Sequence, residues 1–114
     1  MNEEWEGNVR VASQIFAFFD AEYARREHDG AERFEGKVGD KILVVSCPQK
    51  EPRTLLLEYR TREGVSISGV ILQGGELIES LESDNKEERR FLVQGEHGGY
   101  VHIAESGFYT TIIY

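Results

Sequence analysis

Residues 3–30 read EEWEGNVRVASQIFAFFDAEYARREHDG, and the spacing of their apolar side chains decides the fold. Trp5, Val9, Ala12, Phe16, Phe19 and Tyr23 recur at alternating steps of four and three, the period of one helical stripe. The spacing predicts a helix over residues 3–28. Asn2 can cap it, Glu3 and Glu4 sit at the positive end of the helix dipole, and Arg25, Arg26 and His28 sit at the negative end. Asp29-Gly30 supplies the stop. Gly7 weakens the first turn, since glycine costs about 1 kcal/mol against alanine in a helix interior, and it leaves the place of Trp5 open. Val11, Ile15 and Phe18 lie beside the main stripe and widen the apolar arc to about half the circumference. No flat sheet face covers so wide an arc. Either a curved sheet wraps the helix or part of the arc meets another chain; the first is commoner, because helices bury their apolar face in their own core.

After Gly30 the period changes to two, and turn residues punctuate the rest. Arg33–Val38 and Lys41–Cys47 flank Gly39-Asp40, and Thr54–Arg62 and Val65–Gln73 flank Glu63-Gly64. Gly74-Gly75 leads into Glu76–Leu81. A polar stretch, Glu82–Arg90, interrupts the meander as a loop or a short solvated helix. Arg90–His97 and Tyr100–Ser106 then flank Gly98-Gly99, and Gly107 precedes a last strand, Phe108–Tyr114. Cys47-Pro48-Gln49-Lys50-Glu51-Pro52 is an exposed connection, because its prolines cannot donate to a central ladder. If Glu63-Gly64 is a two-residue turn, Leu57 opposes Val70, Leu55 opposes Leu72, Tyr59 opposes Ser68 and Thr61 opposes Ser66 on one face. On the other face Leu56, Glu58, Arg60 and Arg62 meet Ile71, Gly69, Ile67 and Val65. Both faces are mixed, so both bury something.

A chain of 114 residues holds one core. Its formal charge of −8 rests on 21 acidic against 13 basic side chains, of which only four are lysines. Such a chain repels a polyanion, which argues against nucleic acid and against an anionic membrane surface. A basic protein is instead steered toward it. No apolar run approaches the roughly 18 residues of a spanning helix, and the acidic N-terminus is unlike a secretory signal; a cytoplasmic location is expected. The single cysteine, Cys47, makes no internal disulfide. The last strand carries no charge and is apolar on both faces, so it must be paired, covered, or used in a homodimer.

Chemistry-bearing constellations are sparse. With Gly98-Gly99 as a two-residue turn, His97 pairs with Tyr100 and His102 with Gly95, which sets the two imidazoles roughly 7 Å apart on one face. Zinc needs a third protein ligand, and Glu96 and Glu105 point the other way, so no metal is assigned. Cys47 lacks a neighbouring cation to activate it and reads as a small buried hydrophobe. No nucleophile elbow, zinc-protease helix or glycine-rich phosphate loop is present in the sequence. Arg60 and Arg62 alternate on one face of a strand and suit a carboxylate or phosphate, with Glu58 orienting them. Glu76, Glu79, Glu82, Asp84, Glu87 and Glu88 stand against one cation, Lys86, over residues 76–88, a solvated acidic loop or a knob for a basic site.

The expected fold is α+β: an N-terminal helix packed in a curved antiparallel meander of about six to eight strands, a half-barrel or roll, spanning residues 1–114 as one domain. The expected function is a small acidic cytosolic protein-interaction module, with an inhibitor or immunity-like binder of a basic surface as one form of it. Homodimerisation remains an option and no cofactor is assigned. The alternative is a small-ligand cup or an enzyme of helix-plus-curved-sheet type, lined by Tyr59, Arg60, Arg62, His97 or His102.

Overall fold

The structure of the chain, a computed structural model, describes residues 3–73, 90–94 and 100–111. His97, the expected strand 76–81 and the acidic residues 76–88 lie outside them. The fold is α+β. One helix, α1 (Glu3–Phe18), packs against a five-strand antiparallel sheet, β1 (Tyr23–His28), β2 (Ala31–Val38), β3 (Lys41–Pro48), β4 (Thr54–Arg60) and β5 (Ser66–Gln73). A three-strand sheet follows, β6 (Arg90–Gln94), β7 (Tyr100–Ala104) and β8 (Gly107–Thr111). In both sheets the strand order repeats the chain order, and the meander is not closed.

The helix stops ten residues before the expected His28. Asp20 takes a left-handed conformation (φ 52°). The Ala21 N–H donates to the Phe16 carbonyl (2.9 Å) and the Asp20 N–H to that of Ala17 (3.1 Å), the paired bonds that close a helix end around one left-handed residue. Residues 23–28, expected as the last helical turns, form β1 instead. Tyr23 nevertheless meets the stripe it was assigned to, because its ring stacks on Phe16 at 5.0 Å from the strand side. Asp29 and Gly30 end no helix. Both have positive φ (51° and 77°), as the two central residues of a type I′ hairpin turn require, and they join β1 to β2 with His28 opposite Ala31.

Gly39-Asp40 is the two-residue turn that the spacing predicts, with Val38 opposite Lys41. The β4–β5 connection differs by one residue. The Thr61 N–H donates to the Val65 carbonyl (2.8 Å) and the Gly64 N–H to that of Thr61 (2.9 Å), with Gly64 at φ 88°. The loop is therefore Arg62-Glu63-Gly64, a three-residue hairpin whose glycine takes the left-handed position. Leu55, Leu57 and Tyr59 oppose Leu72, Val70 and Ser68 as predicted, but the register then slips and Arg60 faces Ser66 rather than Ile67.

The inner face of the large sheet receives the helix. Phe34, Leu43, Val45, Cys47, Leu55, Leu57 and Tyr59 form one buried cluster with Val11, Ala12, Ile15 and Phe16. The wide helical arc is covered by two surfaces, for Phe18 also meets Phe91 of the small sheet edge-on at 5.5 Å. Phe91, Val93, Val101 and Ile103 carry the cluster into that sheet. Two polar groups pin the helix. The Trp5 indole N–H donates to the Cys47 carbonyl (2.9 Å), and the buried Asn8 amide donates to the carbonyls of Pro52 (2.8 Å) and Thr54 (3.1 Å). The small sheet is tied on by Tyr59, whose hydroxyl donates to the Ala104 carbonyl and whose ring stacks on Phe108 at 4.6 Å. Lys41 adds a surface bond to the Glu105 carbonyl (3.2 Å).

Gly36 sets how closely the helix end approaches the sheet. A Cβ there would lie 2.4 Å from the Glu22 carbonyl oxygen and 2.9 Å from the Phe16 ring, closer than non-bonded atoms approach. Gly36→Ala is expected to destabilise the fold by about 2 kcal/mol or more, since the clash with backbone cannot be relieved by a rotamer change. Urea unfolding of both proteins measures it, and equal midpoints would contradict the packing described. Cys47 is fully buried, and loss of solvation pushes its thiol up from 9.0 to about 12, with Arg25 opposing the shift weakly. The folded state thus favours the neutral thiol. Its contribution is complete below pH 9 and is lost as pH rises toward 12, at up to about 1.4 kcal/mol per pH unit. Stability profiles of the wild type and Cys47→Val should run parallel below pH 9 and converge or cross above it; parallel profiles up to pH 11 would contradict this assignment.

Candidate functional site

Because α1 fills the inner hollow, the outer face of the large sheet is where unused chemistry collects. Alternation and register place three rows across it. Arg26, Arg33, Ser46, Leu56 and Ile71 form one row. Beside it run Ala24, Glu35, Val44, Glu58 and Gly69, and then Lys37, Ile42 and Arg60. The floor of this face is apolar: Val44 is buried, Leu56 is half-buried, and Ile71 is 64% exposed.

Two adjoining depressions mark the face. The larger, of about 450 Å³, lies between Arg33 and Ser46 at one end and Leu56, Gly69 and Ile71 at the other, with Val44 and Glu58 along it. The smaller, of about 350 Å³, is lined by Ile42, Arg60, Thr61, Arg62 and Gly64 with Glu35. Arg60 borders both. Gly69 helps open the first, because it contributes no side chain to a row otherwise filled by Val44 and Glu58. A Cβ there would meet only the Leu57 carbonyl oxygen, at 3.4 Å.

The charged groups are distributed unevenly. Glu58 is held by the Arg60 guanidinium. Glu35 accepts from Arg26 (3.3 Å) and lies 3.7 Å from the Arg33 Nη2, beyond hydrogen-bond reach. Arg26 and Arg33 oppose each other directly across β1 and β2, a like-charge pairing that destabilises a ladder unless anions intervene. The Arg33 Nε is buried and meets no acceptor.

The residues singled out from the sequence part company here. Arg60 and Arg62 do line one depression, and Glu58 does hold Arg60, as the alternation suggested. Tyr59 points to the opposite face, into the core, where its hydroxyl is engaged. His102 sits on the second sheet opposite Leu92 and Tyr109. The expected pairing of His102 with Gly95 is incorrect: Gln94 pairs with Tyr100, so five residues rather than two connect β6 to β7 and the ladder is displaced. His97 and the six carboxylates Glu76, Glu79, Glu82, Asp84, Glu87 and Glu88 lie outside the described residues. Cys47 is a core residue, as expected. Arg33 was missed, because its significance depends on facing Arg26, and that follows only once Asp29-Gly30 is read as a hairpin turn.

Among the described residues no group of three or more side chains suits a metal ion, and no helix is long and apolar enough to cross a membrane. Compared with models of protein families, with curated proteins and with solved structures, the chain matches none of them.

Proposed function

We propose that the chain is a small acidic protein-interaction module that engages a basic surface of another protein through the β4–β5 hairpin and the residues that follow it. The observation that carries this reading is the exposure of Val65 (63%), Ile67 (50%) and Ile71 (64%) along that hairpin. The register slip after Tyr59 leaves Ile67 without the cross-strand partner it would otherwise cover. Apolar side chains of this size, held out by a rigid sheet, form the centre of a contact whose rim is charged. In the sequence, residues 76–88, which begin three residues after β5 ends, carry six carboxylates against one lysine. The net charge of −8 draws a basic partner from a distance and speeds encounter, while the apolar centre holds it. Inhibition of that partner, as an acidic immunity-like protein would achieve, is the specific form the charge favours.

The small-ligand cup inside the hollow receives less support, since Phe16, Ile15 and Ala12 are fully buried where such a ligand would sit. The immobilised full chain is expected to capture a basic protein from the cytosol of its own cells. Capture should fall steeply as salt rises from about 0.1 to about 1 M, where the screening length shrinks from about 10 to about 3 Å. It should also fail with Ile67→Asp combined with Ile71→Asp, and weaken when the six carboxylates become glutamines. Capture of no basic protein, or of one indifferent to both sets of substitutions, refutes the proposal.

A further inference from the structure

The larger depression on the outer face has a polar end and an apolar end, and we propose that it binds a medium-chain fatty carboxylate, with the headgroup on Arg33 and the chain lying across the sheet toward Ile71. Its volume of about 450 Å³ falls within the roughly 300–1,000 Å³ of small-molecule sites, which combine an apolar lining with a few placed polar groups. The site is separate from the hollow filled by α1, and it shares Ile71 with the contact proposed for a protein partner.

The headgroup follows from the charge on this part of the face, where Arg26, Arg33 and Arg60 stand against Glu35 and Glu58. A guanidinium stays charged at every accessible pH, so three of them against two carboxylates leave one positive charge over. Both carboxylates on this part of the face are already engaged: Glu58 by Arg60, and Glu35 by Arg26. Arg26 and Arg33 therefore face each other with one carboxylate between them. A second anion at the Arg33 guanidinium, whose side chain is 22% exposed, balances the like-charge pair. Ser46, directly opposite Arg33 on β3, offers a hydroxyl to the same headgroup.

The tail follows from the register. The row that begins at Arg33 and Ser46 continues through Leu56 to Ile71, so polarity falls steadily from β2 to β5. Three strand spacings give a length of about 14 Å, suited to an extended medium-chain acid such as decanoate and too long for acetate or phosphate to use. Val44 forms the floor beside this row, and the absent side chain at Gly69 leaves the space into which the chain settles. Bound there, the alkyl chain shields the exposed Ile71 from water.

Titration calorimetry of decanoate into the full chain, below the concentration at which decanoate self-associates, tests the assignment. Saturable one-site binding is expected. Arg33→Gln should weaken it about tenfold or more, and decanol, which has the same chain without the charge, should show a similar deficit. Gly69→Val should weaken it comparably by filling the groove. That variant should fold, because its Cβ makes only an ordinary contact with the Leu57 carbonyl and valine suits a strand; its melting curve verifies this. Absence of saturable binding overturns the proposal. So does binding that survives either substitution unchanged, or decanol binding as tightly as decanoate. Arg33→Gln leaves Val65, Ile67, Ile71 and the six carboxylates unchanged, so its effect on decanoate binding is read apart from partner capture.

Discussion

No side chain fits at Gly36, and the seating of the helix on the sheet depends on that vacancy. The Phe16 ring, the Glu22 carbonyl and the first atoms of Tyr23 all converge on the bare backbone of β2 at this point. Because the ring can press so close, the chain turns at Asp20 and returns immediately as β1. Phe16 is then gripped by Tyr23 on one side and by the sheet on the other. The stabilisation comes from burial, at about 1.5–3 kcal/mol for a large apolar side chain. Its geometry comes from one missing methyl group.

With the inner face committed to the helix, the two sheet faces divide their roles. Inside, Tyr59 is a structural strut that joins the two sheets through its hydroxyl and its ring. Outside, one residue further on, Arg60 stands in a ladder of charges bordering two depressions. Alternation alone separates a core residue from a surface one at adjacent positions. The same logic places Cys47 on the inner face, where its thiol is buried and its own carbonyl accepts from the Trp5 indole.

Much of this architecture is legible in the residues. The change of period at Gly30, the turn at Gly39-Asp40 and the pairing of Leu55 and Leu57 with Leu72 and Val70 all follow from simple alternation. The end of the helix does not, because Tyr23 continues the helical spacing for a different reason: a strand returning over the same stripe places its ring in the same neighbourhood. The left-handed Asp20 carries only a weak signal, as aspartate is tolerated there rather than required. Asp29-Gly30 suits a helix stop and a hairpin equally well in isolation, and choosing the hairpin would have set Arg26 against Arg33. The β4–β5 slip is hidden for a related reason. Gly64 serves either a two-residue or a three-residue turn, and Thr61, whose side-chain oxygen accepts from Val65 (3.1 Å), helps select the longer one. The outer-face site is legible at Arg60 and Arg62 and invisible at Arg33, whose importance is a matter of cross-strand company rather than local pattern.

The strand order has a kinetic meaning. From β1 to β5 each strand pairs with the one synthesised just before it, so the ladder can zip forward through short loop closures that cost little chain entropy. Two closures are longer: Asn8 must find Thr54 across 46 positions of chain, and Tyr59 must find Ala104 across 45. The neighbouring pairings thus supply the surface on which both distant partners, the helix and the small sheet, come to rest.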